Sequence, residues 1–188
     1  AVCPAGKCSF KRFFYYGEFQ AMRHAISVLL ENEVGALTRM TGMFSSRGYN
    51  IESLNVAPTN DATVSRVTLV VSGSDAAIAQ LNAQLAKLVD VVNIHDMTLG
   101  DHFERELAII KMKLAPDRLE RAAGLATKHG AEVLDDDPSS YTLQLTGRIP
   151  EVDEFVSDAA EIGQLSAVAR SGSVAVSRGE VTLSSYDR

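Results

Sequence analysis

The sequence predicts an α+β chain built from two ferredoxin-like βαββαβ domains, and three observations carry that prediction. Segments with period-two alternation or dense β-branched content interleave with short segments of helical period. The order β-α-β-β-α-β is complete before Leu99, which is the split βαβ arrangement. The same order then starts again after His102. A length of 188 residues suits two small domains that each bury their own core.

The first strand is HAISVLL, where Ile26, Val28 and Leu30 alternate onto one side. A turn at Glu31–Gly35 leads into a helix whose apolar positions are Ala36, Leu37, Met40, Met43 and Phe44, with Thr38, Arg39, Thr41 and Ser45 on the opposite face. Gly48 follows where a left-handed helix end is usual. IESLNVAP is the second strand, stopped by Pro58, and VSRVTLVVSG the third. Ser74 is placed to cap a helix from Asp75 with Ile78, Leu81, Leu85 and Leu88 along one face. VDVVNIHDM closes the first unit.

In the second unit ERELAIIKMKL is a strand, and Pro116 and Asp117 open a helix with Leu119, Ala122, Ala123 and Ala126 inward. His129-Gly130 ends that helix. AEVLD and SYTLQLTG are strands around the Asp135–Pro138 turn. Val152, Phe155, Val156 and Ala159 mark the last helix, and LSAVARSGSVAVSRG supplies one final extended segment. The expected organisation is therefore residues 1–21 as an extension outside the fold, with Met22-Arg23-His24 reading as a natural start. A first domain spans 22–99, a second spans 103–180, and 181–188 form a tail. Sequence similarity between the halves is weak, so the matching order of elements is the stronger sign of repetition.

Composition narrows the function classes. A net charge of −6 with pI near 5.2 provides no basic stripe, and the central strands IESLNVAP and VSRVTLVV lack aromatics, so no nucleic-acid partner is expected. No stretch approaches the ~18 apolar residues of a membrane span, so no membrane partner is expected. The two cysteines, Cys3 and Cys8, lie in the leader and cannot staple the body. Absence of cysteine elsewhere fits a cytoplasmic location.

No catalytic or metal set is legible. The histidines His24, His95, His102 and His129 show no ligand spacing, and His129 suits a helix end. Asp135–Asp137 reads as a solvated turn. Phosphate-loop, nucleophile-elbow and dinucleotide glycine patterns are missing, and the folded region has no cysteine nucleophile. An acylphosphatase-type enzyme would need an arginine in the loop after the first strand, and Asn32–Gly35 has none. No catalytic residue, no metal ligand and no cofactor is assigned to this chain.

The stretch NEVGALTRMTGMFSSRGYNI, Asn32 to Ile51, offers the one constellation suited to a ligand. A helix start presents unpaired amides and partial positive charge to a carboxylate. Gly35 lacks a Cβ over those amides. Asn32 and Asn50 offer donors and acceptors, and Val34, Leu37 and Ile51 an apolar wall. Such a site suits a small zwitterion with an aliphatic side chain. The same residues also make sense as turn glycines and local caps.

SVLLENEVGALTRMTGMFSSRGYNIESLNVAPT resembles the opening ACT domain of the acetohydroxyacid synthase (acetolactate synthase) small regulatory subunit. LVDVVNIHDM, ERELAIIKMKL, SYTLQLTG and VARSGSVAVSRG resemble later parts of that family in the right order. The resemblance runs from Met22 to about Glu180 and favours the ligand reading. It implies a non-catalytic subunit of branched-chain amino acid biosynthesis that partners and activates a large catalytic subunit. It implies feedback inhibition by valine or a related amino acid, bound where the ACT domains of a homodimer meet. Asn32, Gly35, Ala36, Leu37, Asn50 and Ile51 are the implied effector contacts. Thiamine diphosphate, Mg and FAD are implied for the catalytic partner. A free-standing ACT-domain sensor serving a different enzyme is the alternative.

Overall fold

The computed structural model describes residues 22–180 and residue 183. The extension expected at 1–21 and most of the tail expected at 181–188 lie outside the described residues. Strand β1 (Met22–Glu31) is followed by helix α1 (Ala36–Ser46), β2 (Ile51–Pro58), β3 (Val64–Gly73), α2 (Asp75–Leu85) and β4 (Val91–Asp96). A 3-10 turn, Met97–Leu99, leads to β5 (His102–Lys113) and, after a second such turn at Pro116–Arg118, to α3 (Leu119–His129). Then come β6 (Glu132–Asp135), β7 (Tyr141–Gly147), α4 (Ile149–Ile162), β8 (Gln164–Arg170) and β9 (Val174–Ser177).

Both sheets are antiparallel with equivalent strand orders, β2-β3-β1-β4 and β6-β7-β5-β8. This is the βαββαβ topology twice. The first core packs Ile26, Val28 and Leu30 of β1 under Met40 and Phe44 of α1 and Ile78, Leu81 and Leu85 of α2. The second packs Ala108, Ile110 and Met112 of β5 under Leu125 of α3 and Val152 and Phe155 of α4. Each fully buried large side chain contributes roughly 1.5–3 kcal/mol of transfer free energy. No described helix is long and apolar enough to cross a membrane.

Local chemistry explains the helix ends. The Ser74 Oγ accepts from the Ala77 amide and starts α2. Gly48 and Gly130 take φ of 72° and 66°. Beyond each, the Tyr49 and Ala131 amides donate back to Phe44 and Ala126, the paired bonds of a Schellman stop.

Three details depart from the sequence expectation. Ala123 is exposed and Leu125 takes its place inward, because the i, i+3, i+4 spacing from the buried Ala122 falls on Leu125 and Ala126. The final segment is two strands that run the same way along β5, because residues 171–173, with Gly172 at φ 74°, interrupt the ladder between Arg170 and Val174. β5 begins two residues earlier than ERELAIIKMKL implied, because its first four residues pair with β9. That paired end lies across the outer face of the first sheet, where Ala25, Met97 and Ala175 form a small core. Arg23 seals it with a two-pronged ion pair to Glu104, at 2.6 and 3.1 Å, and a bond to the Ser173 hydroxyl.

Candidate functional site

The turn between β1 and α1 is built on backbone bonds. The Glu31 amide donates to the Asp90 carbonyl at 2.8 Å and the Asn32 amide to Thr63 at 2.7 Å. The Asn32 side-chain Nδ2 donates to the Ala62 carbonyl at 3.0 Å, which directs the amide group and leaves Oδ1 as its acceptor. Gly35 then adopts φ 89° and ψ −11° at the helix start. No side chain caps α1, and its first turn carries no acid. The partial positive charge of this helix start is therefore unanswered by its own sequence.

One interaction at the turn was not foreseen. Arg39 makes a two-pronged ion pair with Asp90, Nε to Oδ2 and Nη2 to Oδ1, both at 2.6 Å. Asp90 is buried, and the hydrogen bond from Arg39 holds its carboxyl below the usual carboxylate range. A Cβ on Gly35 would lie 2.8 Å from Arg39 Nη1. The missing side chain thus makes room first for the chain's own guanidinium. The sequence clues were slight: Arg39 is four residues after Gly35, but Asp90 is 51 positions from it along the chain.

The six predicted contacts fall into two groups. Asn32, Gly35, Ala36 and Leu37 share the β1–α1 turn; Asn32 and Leu37 are exposed, but the Ala36 side chain is in the core and its amide donates to the Glu33 carbonyl at 3.2 Å. Asn50 and Ile51 open β2 at the other end of the sheet. Ile51 pairs with Val71, which pairs with His24, whereas Glu31 pairs with Val64. Seven registered residues separate the rows, about 23 Å. Within one chain the two groups do not meet.

Other features account for themselves. Cavities of about 460 and 480 Å³ lie under β9 and beside Gly172, and neither is lined by any of the six residues. His129, Glu154 and Asp158 converge, but the Lys128 ammonium already bridges the two acids, at 2.7 Å to Asp158 and 3.0 Å to Glu154. That lysine first, then His129, keeps Asp158 below its ordinary value. Asp135 and Asp137 accept from the amides and hydroxyls of their own turn. His24 is buried with both ring nitrogens lacking a hydrogen bond, 3.4 Å from Asp75 and 3.7 Å from Asp96.

Comparison with known proteins covers both domains. The family model described as an AHAS small subunit-like ACT domain matches residues 26–93. The model described as the small subunit of acetolactate synthase matches residues 105–179. The acetolactate synthase small subunit of Haemophilus influenzae is 44% identical over 159 residues, 85% of this chain and 98% of that protein. The isozyme 3 small subunit of Escherichia coli is 42% identical over the same shares. The crystal structure of the small subunit from Thermotoga maritima superposes with a TM-score of 0.77 at 28% identity, covering 85% of this chain and 99% of that one.

Proposed function

Because the chain belongs to the acetolactate synthase small-subunit family, we propose that it partners a catalytic large subunit, activates it, and reports valine or a related branched-chain amino acid. The observation that carries the sensing part is the helix start at Gly35, which has neither a side-chain cap nor an acid in its first turn. A carboxylate supplies the missing negative charge, and Asn32 Oδ1 accepts from an ammonium beside it. Leu37 offers apolar contact to a short aliphatic side chain.

The separation of the six residues supports a homodimer. Among the described residues β2 is the edge of its sheet, paired only with β3. Two copies joined antiparallel along β2 would place the start of one β2 beside the end of the other. Pro58 pairs with Ser65 and Glu31 with Val64, so that end of β2 is also the end that carries Asn32. The partner's Asn50 and the partner's Ile51 then complete the site. A ligand bridging two protomers stabilises one arrangement of the pair by its differential affinity for it. A coupling of ~1–3 kcal/mol suffices for several-fold to about hundredfold regulation. In this reading the thiamine-diphosphate chemistry belongs to the large subunit.

The test is reconstitution. Adding this chain to an acetolactate synthase large subunit is expected to raise its activity and make it valine-sensitive. Saturable valine binding without any effect on that enzyme would favour a sensor for another one. No binding of valine, leucine or isoleucine in the assembled complex would overturn the sensing role.

A further inference from the structure

We propose that Arg39 is a ligand-contacting residue of this site: its Nη1 meets the effector's carboxylate, and Asp90 is the positioning residue that aims it. The inference rests on the amino-acid-sensing reading and adds the group that supplies formal charge.

The guanidinium is divided by its contacts. The Nε–Nη2 edge is committed to the two oxygens of Asp90, and such a fork fixes the plane of the group. Nη1 is left over, and it stands 2.8 Å from where a Cβ on Gly35 would be. It therefore overhangs the turn that starts α1. Asp90 is only 5% exposed, and its backbone carbonyl receives the Glu31 amide. The acid that aims Arg39 is thus tied to the same strand end that carries Asn32.

Accessibility and electrostatics agree with this role. The Arg39 side chain is half exposed, at 50%, while its partner acid is buried. A small solute can reach the free edge without breaking the pair. α1 has no acid in its first turn, and besides Asp90 the acid that acts on the Arg39 charge is the exposed Glu33 of the preceding turn. The helix amides and Nη1 then act on one anion from adjacent directions, and a charge-assisted bond outweighs a neutral one. Gly35 is required on this view because any Cβ would push the guanidinium off the turn.

A purely bracing role for Arg39 predicts something different. Losing a brace weakens every ligand alike; losing a carboxylate contact weakens only ligands that have a carboxylate. Valinamide keeps the ammonium and side chain of valine and lacks the carboxylate. Calorimetry at pH 7 on the full chain assembled with its large subunit would compare L-valine and L-valinamide for the natural protein, Arg39→Gln, Arg39→Lys and Asp90→Asn. The expected preference for valine is about 10- to 100-fold, the range of a hydrogen bond to a charged group. Arg39→Gln should cut that ratio several-fold, down to what the helix amides alone provide, with valinamide affinity little changed, and Arg39→Lys should restore part of it. Asp90→Asn should reduce the ratio less than Arg39→Gln.

An unchanged ratio in folded Arg39→Gln, or an equal fall for both ligands, overturns the inference and leaves the sensing reading standing. A natural complex that binds valine no better than valinamide also overturns it. A complex that binds neither overturns both.

Discussion

The first helices of the two domains begin differently, although the domains share topology and strand order. α1 starts at a left-handed glycine with no acid in its first turn. α3 follows a 3-10 turn holding Pro116 and Asp117, and its own first turn adds Glu120. Acids at a helix start satisfy its positive end, so the second domain answers internally the charge that the first leaves open. The next strands differ in the same sense: Asn50-Ile51 lead into β2, Ala131-Glu132 into β6. The fold is common to both halves, and the uncapped, acid-free helix start on which the proposed site rests is found at one turn.

The largest test of that contrast removes matched core residues. Phe44 and Phe155 are both fully buried, one in each core. Truncation of either to alanine is expected to destabilise by about 3–5 kcal/mol, read from urea unfolding. Only Phe44→Ala should also weaken valine binding, measured at a temperature where both variants stay folded. Equal losses of binding would mean that the second domain contributes to the site.

Glycine substitutions make a sharper pair. Gly35 and Gly130 both have positive φ, and each aspartate variant carries a backbone penalty of roughly 1–2 kcal/mol. At Gly130 no atom lies within 4 Å of the added Cβ, whereas at Gly35 it meets Arg39. Gly35→Asp should abolish the valine response with the fold retained by circular dichroism, and Gly130→Asp should keep it. Retained sensitivity in folded Gly35→Asp would sink the assignment of the site.

Acid sensitivity gives a third pair. Hydrogen bonds from Arg39 hold Asp90 low, and those from Lys128, then His129, hold Asp158 low. A depressed carboxyl contributes stability in full above its unfolded value, near 3.9, and loses it as pH falls through the folded value. Asp90→Asn and Asp158→Asn should therefore each be less stable than the natural chain near neutrality and converge with it between about pH 5 and pH 2. Urea midpoints across that range check the sign. Of the two, only Asp90→Asn should alter valine affinity at pH 7.

Much of this architecture was legible because local physics sets it. Period-two alternation placed Ile26, Val28 and Leu30 inward, and Ser74, Gly48 and Gly130 announced helix ends that their backbone bonds bear out. The turn at Asn32–Gly35 was visible for the same reason. What the sequence hid is non-local. Arg39 reads as a solvated residue on the polar face of α1 until the turn before β4 brings Asp90 beneath it. The break at Gly172 is hidden in a run that reads as one strand, because both halves pair along β5 and only the ladder between them is interrupted. The distance between Asn32 and Asn50 follows from strand direction, which single-residue patterns do not encode.

The smallest expected stability effects come from the polar residues at the two helix starts, and they isolate binding from folding. Asn32→Ala removes one exposed bond to the Ala62 carbonyl, expected to lower stability by about 0.5–1 kcal/mol. Asp117→Ala removes an acid from the start of the second domain's helix, expected to lower stability by about 0.3–1 kcal/mol. Folding therefore barely distinguishes the two variants. Ligand binding should separate them clearly, because Asn32 Oδ1 is the proposed acceptor for the effector's ammonium and Asp117 faces no proposed ligand. Calorimetry should find valine affinity reduced about tenfold or more in Asn32→Ala, the value of one charge-assisted bond, and unchanged in Asp117→Ala. Equal affinities in the two would place the ammonium elsewhere and reduce Asn32 to a brace for the turn.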